Sequence, residues 1–185
     1  MLIPRKTLAA VLLAGGLAVT GCGGGGDSSS ASPAKPPPPG NAADRAFVTA
    51  VIPLHEKSVA ISIIGQTRGG AFVKTIAREV AGTQPEETAR IRAIGSALFS
   101  AGVPIGSLGV APTTAANVDL KKLRRAQPFD AAFLKAMIAL HAATIDLSKA
   151  EIAKGSQVDL KTGAQAMIDA ETNQLKSMRR RAGSN

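Results

Sequence analysis

The chain has 185 residues, a formal net charge of +9, one cysteine, two histidines, and neither tryptophan nor tyrosine. A single cysteine excludes an internal disulfide framework and a cysteine-based metal site, and two histidines exclude a multi-histidine zinc centre. Without Trp or Tyr the stacking platforms of single-strand nucleic-acid binding are missing, so the basic charge points to a solvated surface or to anionic headgroups, not to nucleic acid.

The first residues read as an export signal. Arg5 and Lys6 provide a positive start, and Leu8 to Val19 form an apolar run too short to span a bilayer as a mature helix. Val19, Thr20, Gly21 and Cys22 follow. This run resembles the bacterial lipobox, in which an aliphatic residue and two small residues precede the cysteine that takes diacylglycerol and becomes the new N-terminus. Residues 1–21 are therefore expected to be a lipoprotein signal peptide and Cys22 the lipidation site. Loss of Arg5 and Lys6 leaves a mature charge of +7. Each buried methylene of a lipid is worth about 0.8 kcal/mol, so more than one acyl chain gives a durable anchor. The expected location is lipid-anchored, on the extracytoplasmic face of the cell membrane or outer membrane.

Residues 22–43 are expected to form a tether. Glycine and serine dominate its start, and Pro36 to Pro39 stiffen its far end toward polyproline II. Gly23 to Gly26 are not a phosphate loop, because no strand precedes them and no Lys-Ser/Thr signature follows.

Beyond the tether, residues 44–182 repeat a pattern after 86 positions. Asp44, Phe47, Ile52, Leu54 and His55 lie over Asp130, Phe133, Ile138, Leu140 and His141. After a one-residue shift, Gln84, Glu87 and Ile91 lie over Glu171, Gln174 and Met178. Such a repeat is read before anything else. Apolar residues recur at three and four from Asp44 and from Asp130, which occupy the expected N-cap positions. Gly69-Gly70 and Gly155 are expected to end these helices. A second helix is predicted from about Ala71 to Ala101 in one half and from about Gln157 to Arg181 in the other. Pro85 predicts a kink, or a restart capped by Thr83. Residues 102–118 connect the halves, and a short helix follows Asp119 until Pro128. The predicted fold is all-α: a four-helix bundle made of two repeated helical hairpins, about 44–101 and 119–182.

These residues resemble the DUF305 family, ferritin-like helical-bundle proteins of the bacterial envelope, some of them implicated in handling copper or other metals. The family pattern runs D-x-x-F-x-x-x-M-I-x-H-H-x-x-A-I-x-M, followed downstream by Q-x-x-E-I-x-x-M. Here the His pair has become Leu54-His55 and Leu140-His141, and the methionine before it is Val51 in one half and Met137 in the other. The downstream methionine is Ile91 in one half and Met178 in the other. The resemblance implies a metal site built from His55, Met137, His141 and Met178, with soft copper as the cofactor to consider, because Cu(I) favours thioether and imidazole ligands. The residues themselves read first as core: a His inside an apolar stripe and a Met at helical spacing are ordinary packing. No E-x-x-H, H-E-x-x-H or G-x-S-x-G motif is present. The expected function is a non-enzymatic, membrane-anchored binding or interaction module whose metal site is largely lost, with no cofactor. Its partners would be the membrane, through the N-terminal lipid, and an envelope protein. The alternative is a soft-metal, copper-binding protein of the cell envelope. Lys176 and Arg179 to Arg181 form a basic C-terminal end suited to the helix dipole and to solvent.

Overall fold

Each repeat folds as an antiparallel helical hairpin in a computed structural model that describes residues 39–184. In chain order, α1 spans Ala42–Arg68, α2 Ala71–Ser100, α3 Leu120–Arg125, α4 Phe129–Lys154 and α5 Val158–Gly183, with a 3-10 turn at Ala115–Asn117. No strand occurs among the described residues. The expected signal peptide, the expected lipidation site Cys22 and the expected tether up to residue 38 lie outside the described residues.

The predicted all-α four-helix bundle is what forms. α1 and α4 are the central pair and pack on each other as well as on their hairpin partners. That position explains their two adjacent apolar stripes. Phe47, Val51, Leu54 and Ile61 of α1 and Phe133, Met137, Leu140 and Leu147 of α4 are all buried. Both helices are long and apolar enough to cross a membrane by length and composition. Yet they also bury Asp44, His55, Ser58 and Ser62 on α1, and His141, Thr144, Ser148 and Glu151 on α4. α2 and α5 each bury one stripe only, as flanking helices do.

Three sequence expectations are corrected. Asp44 and Asp130 are not N-caps: Asn41 caps α1 and Pro128 precedes α4. Asn41 Oδ1 accepts from the backbone N–H of Ala43 and Asp44, and the Asp44 carboxylate accepts from the Asn41 N–H, a reciprocal capping box. Residues 41–43 thus belong to the first helix and its cap rather than to the tether. The predicted restart at Thr83 does not occur: α2 runs through Pro85 without interruption. Thr83 instead turns its hydroxyl back to the Glu79 carbonyl.

The two aspartates have a longer-range task. Asp44 Oδ1 accepts from the backbone N–H groups of Ser156 (2.9 Å) and Gln157 (3.0 Å), and Oδ2 accepts from the Ser156 hydroxyl (3.1 Å). Asp130 Oδ1 accepts from the Gly70 N–H at 3.0 Å. Gly70 and Ser156 are 86 residues apart, as are Asp44 and Asp130. Each aspartate therefore caps the hairpin turn of the other half. The glycines that end α1 and α4 have extended backbone, not the left-handed conformation. Gly155 is required by proximity: a Cβ there would overlap the Glu151 carboxyl.

The connector is held to the bundle by buried Val103 and Leu108, by the Gly106 N–H bound to the Ala42 carbonyl (2.9 Å), and by Lys154 Nζ on the Leu108 carbonyl (2.6 Å). Gly102 and Gly109 carry positive φ (74° and 69°), the left-handed region in which a side chain is costly. Asp119 caps α3 by accepting from the N–H groups of Lys121 and Lys122.

Candidate functional site

His55 and His141 both lie in the bundle interior, where α1 and α4 face α2 and α5. Together with Met137 and Met178 they are 0% exposed. The histidines occupy equivalent places, and each meets a residue 33 positions on, Thr88 for His55 and Gln174 for His141. The contact keeps the 86-residue offset and not the one-residue shift read from the sequence: the first-half partner of the histidine is Thr88, not Glu87. Glu87 lines a cleft between α2 and α5 with Ile91, Leu160 and Met167.

The hydrogen bonds fix the state of each ring. The Thr88 hydroxyl donates its only proton to the Gln84 carbonyl at 2.7 Å. Toward His55 Nδ1, 3.3 Å away, it can therefore only accept, so the proton of His55 sits on Nδ1. His55 Nε2 is left as a lone pair without a hydrogen bond, 3.6 Å from Glu171 Oε1. Glu171 Oε1 accepts from Gln84 Nε2 at 3.0 Å. Burial, and then the charge of Glu87, push the Glu171 carboxyl well above the usual carboxylate range. For His141, Gln174 donates its amide to Glu79 (3.3 Å) and so turns its oxygen to His141 Nε2 at 2.9 Å. Nε2 carries the proton, and Nδ1 is a lone pair without a hydrogen bond.

Both rings are neutral. Burial lowers His55 to about 4, helped by the proximity of His141. Burial lowers His141 as well, and the oxygens of Gln174 and of the Met137 backbone offset this only in part. Neutral imidazole is the metal-ligating form, and each ring keeps one free lone pair.

The four predicted ligands are thus all in the core, but they are not equally assembled. His141 and Met137 are one turn apart on α4, and Gln174 and Met178 are one turn apart on α5. Because α4 and α5 run antiparallel and His141 meets Gln174, Met137 and Met178 fall at the next level, on facing turns. His55 belongs instead to a polar layer with Thr88, Gln84 and Glu171. Leu54 and Leu140, where the family pattern has its other histidine, are buried in the core. Among the described residues no three His, Cys, Asp or Glu side chains converge as a metal cluster.

Sequence reasoning missed Thr88, which occupies the family's isoleucine position, and the buried Glu151. It also missed two equivalent pairs of small polar residues, Ser58 with Thr144 and Ser62 with Ser148, buried on α1 and α4. The shared 86-residue offset was the signal that could have found the pairs.

Residues 105–182 match the family model DUF305, a domain of unknown function. The matched span runs from the connector into α5 and takes in α3 and α4. No curated protein is matched in sequence. Among solved structures, the chain is similar to CopM in the Cu(I)-bound form, with 19% identity, a TM-score of 0.65, and coverage of 76% of this chain and 96% of that chain. It is similar in the same way to CopM in the Ag-bound form obtained by co-crystallization and in the apo form, each at 18% identity and a TM-score of 0.64, with the same coverage. At such identity the likeness shows a shared helical fold.

Proposed function

We propose that this chain is a non-enzymatic envelope lipoprotein, anchored through Cys22, whose DUF305 bundle serves as a binding module and whose histidine and methionine positions now serve the core. One observation carries this reading: all four candidate ligands are sealed from solvent, and one nitrogen of each imidazole is already committed to a side chain of a neighbouring helix. Leu54 and Leu140 support it, since replacing a ligand with leucine exchanges coordination for burial worth about 1.5–3 kcal/mol per side chain. The lipobox-like run at Val19 to Cys22 supports the anchor and the extracytoplasmic location.

A second reading is favoured by a specific feature. His141 keeps a free Nδ1 lone pair, and Met137 and Met178 lie one level away on facing turns of α4 and α5. These donors are chemically those that hold Cu(I), and the fold is shared with a protein solved in Cu(I)- and Ag-bound forms. The test is a Cu(I) competition titration of the mature chain beside a His55→Ala/His141→Ala double variant. The first reading expects weak binding that the double variant retains. Tight binding lost in the variant would replace it with soft-metal handling at these histidines.

A further inference from the structure

The described residues expose four large apolar side chains, and three of them share one end of the bundle. Phe99 is 68% exposed, Ile105 58% and Val158 73%, whereas Ile63, at 56%, lies toward the other end. Two sets of hydrogen bonds and one cation–π contact with the first turn of α1 bring the three together. The Gly106 N–H binds the Ala42 carbonyl and so sets Ile105 there. The Ser156 and Gln157 N–H groups bind Asp44 and set Val158 there. The Arg45 guanidinium lies 5.1 Å over the Phe99 ring. Around this apolar tip, Lys154 is exposed and Arg45 half-buried, with Asp159 exposed beside Val158.

We propose that this tip docks into the bilayer that holds the chain's own lipid, Phe99, Ile105 and Val158 entering the interface while Arg45 and Lys154 sit at headgroup level. The proposal rests on the lipid-anchor reading above. An exposed apolar cluster rimmed by cations is the pattern of an interfacial contact. What selects the bilayer is where the chain outside the described residues ends. The described chain begins beside this tip, at Pro39 and Gly40, and Gly40 lies against Asp44 and Leu98. From Cys22 to Gly40 the chain can extend about 60 Å. Docking by this tip uses almost none of that length. Docking by the opposite, strongly basic end (Arg68, Lys74, Arg124, Arg179, Arg180) would consume about 40 Å of it in passing back along a 27-residue helix. A short tether keeps the tip at high effective concentration beside the surface.

The natural chain has no tryptophan, so a single introduced one reports its own surroundings. Full-length Phe99→Trp and Ile63→Trp chains, lipidated in a bacterial host, are reconstituted into phosphatidylcholine vesicles with brominated acyl chains, and flotation is read alongside fluorescence. Ile105→Trp is a second reporter of the tip, and circular dichroism checks each fold. The expected result is strong quenching and a blue shift at Phe99→Trp and Ile105→Trp, with Ile63→Trp unaffected. Chains that float but show no quenching at the tip overturn the docking and leave the anchor standing. Chains that neither float nor quench overturn both. Quenching at Ile63→Trp alone means docking by the other end and overturns the proposal. So does a blue shift at the tip that grows with protein concentration without vesicles, which assigns the patch to a second copy.

Discussion

Asp44 and Asp130 are repeat equivalents with unequal burdens, and alanine at each position measures the difference. In Asp44→Ala, the part-buried backbone N–H groups of Asn41, Ser156 and Gln157 lose their acceptor at once. A buried donor left unpaired costs about 1–3 kcal/mol. Water entering the small hole, and relief of the buried carboxylate itself, return part of that. The net expectation is about 3 kcal/mol. In Asp130→Ala only the exposed Gly70 N–H is released, and water replaces the lost acceptor, for about 0.5–1 kcal/mol. For a domain of this size each kcal/mol moves the melting temperature by about 3 °C. Thermal melts followed by far-UV circular dichroism should therefore fall by about 9 °C for Asp44→Ala and by no more than about 3 °C for Asp130→Ala. If Asp44→Ala melts as high as Asp130→Ala, the buried carboxylate is not what holds the α4–α5 turn, and the reasoning fails.

Two further outcomes follow from the same core. Burial first, and then Asp44 beside it, raise the Glu151 carboxyl to about 8 from an ordinary 4.5. A group raised on folding stabilises fully below its unfolded value and loses that contribution as pH climbs through its folded value. Glu171 acts in the same sense. Asp44 is the opposite case: burial alone would raise it, but hydrogen bonds from Asn41, Glu151, Gln157 and Ser156 outweigh this and lower it, so its contribution is lost only in acid, below about 4. The lowered His55 and His141 work the other way, adding stability as pH rises to their ordinary 6.5, so urea midpoints of the wild-type chain should decline between pH 6.5 and about 8, and Glu151→Gln should flatten that decline, leaving the Glu171 share; an unchanged profile would remove Glu151 as its source. Pro85→Ala restores the amide hydrogen bond to the Ala81 carbonyl inside α2, and since proline costs a helix interior up to about 3 kcal/mol, a gain of about 1–2 kcal/mol is expected in thermal melts after local adjustment. A melting temperature that stays level or drops would count against it.

The bundle was legible because its signals are local and doubled. Phe47 and Phe133, Leu54 and Leu140, and the glycines at the hairpin turns recur at one offset, and helical spacing then sets which face is buried. The aspartates were misread for the converse reason. An aspartate ahead of an apolar stripe looks like a cap to its own helix, while the groups it serves are 112 and 113 residues away for Asp44 and 60 for Asp130. Asn41, the true cap, lay hidden in a run composed like a linker. The candidate site was half legible. Sequence placed His55, Met137, His141 and Met178 on interior faces, and all four are there. It could not supply the proton on His55 Nδ1, because that depends on Thr88, whose own proton goes to Gln84. Nor could it show that Gln84 meets Glu171 directly, since the swapped order of the two residues carries no meaning until the halves are docked.

That contact separates a fused chain from a pair of identical ones. Two copies of a single hairpin related by a twofold axis would set like against like wherever a residue meets its own counterpart: amide on amide, or acid on acid. Joined in one polypeptide, the halves can drift apart in sequence while keeping their mutual geometry, so that Gln84 donates and Glu171 accepts. The crossed aspartates bear the trace of the symmetric arrangement, each half finishing the other's turn. The Gln84–Glu171 bond pairs two different side chains where identical hairpins would set a residue against its own copy.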